Sequence, residues 1–309
     1  MLQTHELELT PWRRGAFRAT PQLLLFGQTY EDPEIELSSI PPRSRVFCIA
    51  GAGSTAHALA AAGHCLTAVD INPSQLDYAQ ACNAGGAQRE GIVEQSLRLG
   101  RHLAALCGWS RRKLETFLNL SNCSEQVEFW DRELDTPIWR TMFDGLLARC
   151  SLSLIYRGPF VASLPFAFGA RVRQRLRRGW ERHKNRSNQL AALLLLGKPV
   201  ELARTPSLPI RFVCDDAAAF LERCPPNSFD AFALSNIGDG APSEYRQRLS
   251  AAVEHAAASH AVAVWRSFAE PHSGVTTNLA AMDRSLLWGT VGVRNLDAML
   301  GGGPSCCIC

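Results

Sequence analysis

Gly51-Ala52-Gly53-Ser54-Thr55 falls between an apolar run and a helical pattern. Glycine lets the backbone approach a ligand closely, and a helix start offers free N–H groups to it. Asp70 ends the next apolar run, nineteen residues after Gly51. At that spacing an acid meets ribose hydroxyls, both in dinucleotide folds and in folds that bind S-adenosylmethionine. The third glycine of the dinucleotide fingerprint is missing, since Thr55 and Ala56 stand there. S-adenosylmethionine carries no phosphate and needs no full cradle, so it is the expected ligand, as a donor substrate. Gly51, Ala52, Gly53, Asp70 and Ile71 are its candidate contacts. The bland alternative for Asp70 is a loop aspartate capping a helix.

Further along the chain, Asp215 and Asp216 follow an apolar run and precede Ala217. Either could face an adenine edge, or Asp216 could cap the following helix. Ser235, Asn236 and Asp239 follow another run, where ligands collect in open α/β sheets. Asp239 is the candidate general base for an acceptor hydroxyl, although Gly238 and Gly240 also suit a plain turn. Arg266 could take a carboxylate bidentately or pair with a loop acid. Tyr30 could lay its ring on a sulfonium, and Glu31 or Asp32 could hold an amine; Asp32-Pro33 equally suits a helix start. Ordinary methyltransferases carry an acid two residues before the first glycine, and Ile49 stands there. A site without that acid is compatible with a differently held aminocarboxypropyl arm, and equally with a methyltransferase whose Ile49 is a core residue.

The elements that must position these residues follow from periodicity. Arg45–Ala50 and Cys65–Asp70 read as buried strands around a helix through Ala56–Ala62, with Gly63 as its stop. That βαβ unit implies a parallel sheet. Strand patterns resume at 210–214, 229–234 and 261–265, with helices at 217–223 and 243–258 between them, and 286–293 is available to close the sheet. The expected fold is α/β: a Rossmann-like doubly wound sheet of the class I methyltransferase type with a large helical insertion. Residues 1–77 form the N-terminal segment and first half, 78–208 the helical cap, 209–300 the second half and 301–309 a flexible tail.

Tyr30-Glu31-Asp32-Pro33, Ile49–Thr55, Ala68-Val69-Asp70-Ile71-Asn72-Pro73-Ser74-Gln75, Phe229-Asp230 with Leu234-Ser235-Asn236-Ile237, Val264-Trp265-Arg266 and Asp283–Gly289 occur in this order. Together, over residues 26 to 293, they resemble the S-adenosylmethionine:diacylglycerol 3-amino-3-carboxypropyltransferases, the betaine-lipid enzymes. Tyr30 stands where that family carries tryptophan, and Gly51–Thr55 replaces its usual Ser-Ala-Gly-Cys-Asn-like turn. The resemblance implies transfer of the 3-amino-3-carboxypropyl group to an acceptor hydroxyl, on a lipid or a specialised metabolite, with release of 5′-methylthioadenosine. The rival readings are a small-molecule methyltransferase and a non-enzymatic nucleic-acid binder.

The nucleic-acid rival rests on Arg171–Arg186, which holds eight Arg or Lys in sixteen residues. Val172, Leu176 and Trp180 recur there at helical spacing, a narrow apolar stripe that also suits an anionic membrane surface. A solvated cap helix is the ordinary alternative. Over the whole 309-residue chain the net charge is only +3, which excludes a polybasic coat; no nucleic acid is expected as partner. Hydrophobic residues at 46% and charged residues at 20% exclude a disordered chain and a membrane bundle. Met1–Glu6 shows no basic start leading into an apolar stretch, so no secretory signal is expected. Eleven mostly scattered cysteines suit a reducing compartment, and the expected location is cytoplasmic, with 171–186 as a contact to the inner membrane face. Cys306, Cys307 and Cys309 do not have zinc spacing, and no metal is expected.

Overall fold

A computed structural model describes residues 23–201, 208–272, 275 and 277–296. The readings placed on Met1–Glu6 and on the cysteine-rich tail lie outside the described residues.

Short apolar runs bounded by turn residues make the strands: β1 (Arg45–Ile49), β2 (Cys65–Asp70), β3 (Arg211–Cys214), β4 (Phe229–Ala233), β5 (Ala257–Ser267) and β6 (Thr290–Asn295). They form one sheet in the order β3-β2-β1-β4-β5-β6. The first five are parallel, and β6 pairs antiparallel with β5. The expected closing segment 286–293 is thus a loop followed by one strand, shifted to 290–295. Cross-strand crowding fixes that last pair, because a Cβ at Gly292 would overlap the Trp265 ring.

Residues alternate between the two faces of the sheet, as the period of two requires. Phe47, Phe232, Ala263 and Trp265 face one apolar cluster with α12 (Ala217–Glu222) and α13 (Ser243–Ala256). Val46, Cys48, Leu66 and Ala68 face the opposite one, with α2 (Ser54–Ala61) and Leu76 of α3 (Pro73–Asn83). Helix α1 (Glu34–Ser39) adds Ile35 to a third cluster with Val264, Trp288 and Val291. With helices on both faces, strands buried on both sides read as near-continuous apolar runs.

Between β2 and β3 the regular elements among the described residues are all helical. After α3 come α4 (Ile92–Leu106), α5 (Arg111–Leu118), α6 (Cys123–Phe129), a π turn at Trp130–Leu134, α7 (Pro137–Leu146), α8 (Arg149–Leu152), α9 (Gly158–Ser163), α10 (Phe168–Trp180) and α11 (Gln189–Leu196). Trp109, Phe117, Trp130, Trp139, Val172, Leu176 and Trp180 fill a separate apolar cluster there. Leu286, from the loop before β6, enters that cluster against Gly179, which has no side chain to obstruct it.

The stripe Val172, Leu176, Trp180 therefore points inward, and α10 ends at Trp180 rather than running on to Arg186. The apolar side expected to meet a membrane is consumed by the insertion's own core. Arg175 on the same helix is buried as well and donates to the Leu287 and Phe268 carbonyls and to Glu270, tying the insertion to the sheet's far edge. No helix among the described residues is long and apolar enough to cross a membrane.

Candidate functional site

The strand order reverses direction between β1 and β4, and open α/β sheets bind ligands outside the carboxyl ends of the strands at such a point. The sequence-selected residues meet there. Gly51 follows β1, Asp70 ends β2, Asp215 follows β3, Ser235 and Asn236 follow β4, and Arg266 lies near the end of β5.

Gly51 adopts φ 49° and Gly53 φ 89°, the left-handed region that glycine occupies without penalty. A Cβ on Gly53 would press on Ala79 at 3.1 Å, whereas nothing lies within 4 Å of the Cβ direction at Gly51. The first glycine thus faces open space and the second a helix. The Gly51 N–H donates to Asp70 Oδ2 at 3.2 Å, and the Asn72 N–H to Asp70 Oδ1 at 2.9 Å. The Ile71 N–H also bears on this carboxylate, which keeps acceptor capacity for a ligand hydroxyl. Burial pushes the Asp70 carboxyl up to about 6, against the pull of those backbone bonds. Ala52 is buried under the turn, and Ile71 is half-buried beside it. Ile49 is partly buried against the Phe47 cluster.

A strap formed by Leu23–Tyr30 crosses beside this turn. The Gln75 carboxamide pins it: Nε2 donates to Phe26 O at 2.8 Å and to Gly51 O at 2.9 Å, while Oε1 accepts from the Leu25 and Phe26 N–H groups. Glu94 accepts from the N–H groups of Gly27, Gln28 and Gly91, and Tyr78 donates to Gly27 O. Sequence reading gave no role to Gln75 or Glu94. Long-range capping of a strap leaves no periodic signature, although Gln75 belongs to the motif that carried the resemblance.

Tyr30 at the strap's end buries its hydroxyl beside Glu94 and Arg101. Burial, and next the neighbouring Glu94 charge, raise its pKa. Glu94 and Arg101 both belong to α4, so the hydroxyl end lies toward the insertion. That placement does not suit the expected role of a ring lid held over a sulfonium at the strand ends.

Arg266 departs from the expected role most clearly. Its side chain is wholly buried and all five N–H groups have acceptors: Asp283 at 3.0 Å from Nε, Glu36 from both terminal nitrogens, Glu31 at 3.4 Å, and the Asp32 carbonyl at 2.9 Å. No donor remains for a ligand carboxylate. Burial alone would lower its pKa, but Glu36, Glu31 and Asp283 outweigh it and hold the guanidinium charged. The arginine pairs with Glu36 and Asp283 and, at longer range, with Glu31. Asp32 is likewise occupied, with Arg284 bidentate at 2.6 Å on each oxygen and the Glu34 N–H at 3.2 Å, so it cannot hold an amine.

Glu31 has a longer contact to Arg266 than Glu36 and Asp283 do. It receives the Ser235 hydroxyl and shares Arg266 with two closer acids. Burial raises its pKa, with Arg266 opposing. Ser235 itself sits at φ 53°, a left-handed position that is unusual for a residue other than glycine, and its carbonyl accepts the Arg266 N–H at 2.7 Å.

Asp239 lies on the following turn. Ser267 Oγ donates to it at 2.5 Å, the Phe268 N–H at 3.0 Å and Asn236 Nδ2 at 3.4 Å. Burial raises its pKa and those bonds moderate the rise. Asp216 has settled as a cap: it accepts from the Ala219 N–H and the Tyr245 hydroxyl, each at 2.8 Å, and is buried. Asp215 keeps a partly exposed carboxylate paired with Arg223, while its N–H bonds the Asp70 carbonyl at 3.0 Å. Of the two acids, Asp215 alone stands beside the ribose candidate. No family model, curated protein or solved structure matches this chain.

Proposed function

We propose that the chain is a Rossmann-like class I methyltransferase-type enzyme that transfers the 3-amino-3-carboxypropyl group of S-adenosylmethionine to an acceptor hydroxyl. The observation that carries this reading is the open left-handed turn at Gly51, hydrogen-bonded to Asp70 at the strand-order reversal. The donor fits that arrangement. Its ribose hydroxyls meet the Asp70 carboxylate, its adenine lies toward Asp215, and its ammonium meets Glu31, which among the described residues accepts only the Ser235 hydroxyl and a 3.4 Å contact from Arg266. The donor supplies a sulfonium with three electrophilic carbons, and the reacting one is that held in line with the nucleophile. Ile49 offers no charge beside the turn, which favours drawing the arm toward Glu31 and Ser235. Asp239, its pKa raised, takes the proton from the attacking hydroxyl as the new C–O bond forms and the C–S bond breaks. Thioether and proton then leave on different groups, and 5′-methylthioadenosine is the by-product.

Calorimetric titration with S-adenosylmethionine tests the placement. Wild-type protein binds, and Asp70→Ala weakens binding roughly a hundredfold or more, the loss of two charge-assisted bonds. Equal affinity in both proteins would overturn the assignment of the ribose site.

A further inference from the structure

The segment from Arg149 to Arg186 carries ten arginines and lysines against one glutamate, in a chain whose net charge is +3. Outside this segment the protein is therefore net acidic. Part of the positive charge is internally matched: Arg173 pairs with Asp144 and Asp135, Arg175 with Glu270, and Arg177 with Asp131 and Glu181. Arg149, Arg171, Arg182, Lys184 and Arg186 are exposed.

The same segment exposes two large apolar side chains. Leu154, just after α8, is 81% exposed, and Phe166, just after α9, is 89% exposed. Behind them Leu152, Phe160, Val161 and Leu164 form a small buried cluster with Tyr156, Phe168 and Phe268 around it. Arg149 donates to the Leu164 carbonyl, so a cation stands beside the chain that leads to Phe166. Helix α9 also packs directly on the candidate catalytic turn: a Cβ on Gly240 would overlap the Phe160 backbone. The next residue toward the site is Asp239.

We propose that the loops after α8 and α9 dock on an anionic lipid surface, with Leu154 and Phe166 inserting among the acyl chains and the arginines meeting the headgroups. Charge complementarity and exposed apolar tips together select this partner. A nucleic acid would use the cations and leave Leu154 and Phe166 in water, whereas a bilayer rewards both features. The buried stripe of α10 takes no part. Docking here would set the membrane beside α9, which packs on the turn that carries Asp239; the docking itself does not rest on the proposed transfer reaction.

Flotation of the full chain with vesicles tests it, comparing pure phosphatidylcholine with a mixture containing phosphatidylglycerol. Binding is expected on the anionic vesicles, weaker at high salt. The double variant Leu154→Ser/Phe166→Ser should lose roughly tenfold or more in vesicle affinity, because both apolar contacts are gone. Its melting temperature and its affinity for S-adenosylmethionine should be unchanged, since both residues are exposed and outside the donor site. Arg149→Gln/Arg171→Gln should weaken binding to anionic vesicles only. No flotation at low salt, or flotation undiminished by the double apolar variant, overturns the proposal. Salt-sensitive binding to RNA that ignores Leu154→Ser/Phe166→Ser, with no vesicle binding, would assign the surface to nucleic acid instead. Loss of donor binding in Asp70→Ala is read separately, so failure of the donor site and failure of the docking surface are distinguishable.

Discussion

Asp70 is the residue whose titration the account makes visible. Its carboxyl is raised to about 6 by burial, from an ordinary value of 3.8. Only the ionised form accepts two ribose hydroxyls, so donor affinity should fall as pH drops below about 6 and level off above about 7. Stability should move the other way. A carboxyl whose folded pKa exceeds its unfolded value contributes stability that is complete below about 4 and lost as pH rises through about 6. Calorimetry and urea titrations across pH 4 to 8 read both slopes, and Asp70→Asn should flatten both. Donor affinity independent of pH in the wild type would remove Asp70 from the ribose. At this scale the pairing of a glycine turn with an acid was legible in the sequence. The glycine turn and the acid nineteen positions on appear together, and the structure hydrogen-bonds them. What could not be read is which acids are already spent. Asp32, Asp216 and Glu31 look alike as letters, yet Arg284 and a helix start occupy the first, a helix cap and a tyrosine occupy the second, and the third has the Ser235 hydroxyl and a longer contact from Arg266.

At the scale of elements, Arg266 links β5 to α1 and to the loop before β6. Its partners Glu36 and Asp283 are 230 and 17 residues away in sequence, a closure that no local pattern announces. Breaking a buried pair from one side leaves the other charges uncompensated, at a typical cost of about 3–5 kcal/mol. Arg266→Met should therefore lower unfolding free energy by about that amount in urea denaturation, since Glu31, Glu36 and Asp283 would lose their common counter-ion. A loss below about 1 kcal/mol would mean that those acids are neutral or hydrated and that the arginine is not their anchor. Strands and their flanking helices were readable because burial on both faces leaves continuous apolar runs. The strap at Leu23–Tyr30 was not, because Gln75, Tyr78 and Glu94 hold it through side chain to backbone bonds rather than through periodicity. The amphipathic stripe of α10 was found correctly as a stripe, but its direction depends on Leu286 and the tryptophans of the insertion, which arrive from distant segments.

For the molecule as a whole, the insertion's apolar cluster takes in Leu286 from the loop before β6, and Arg175 bonds the Phe268 and Leu287 carbonyls, which ties the insertion to the β5–β6 side of the sheet. The central claim concerns which carbon of the donor moves, and the by-product answers it before the acceptor is known. Purified protein incubated with S-adenosylmethionine and a lipid extract, with the adenosine products separated by mass spectrometry, is the most direct measurement. The account predicts 5′-methylthioadenosine above the spontaneous background, abolished in Asp70→Ala. Enzyme-dependent S-adenosylhomocysteine without methylthioadenosine would contradict it and make the protein a methyltransferase.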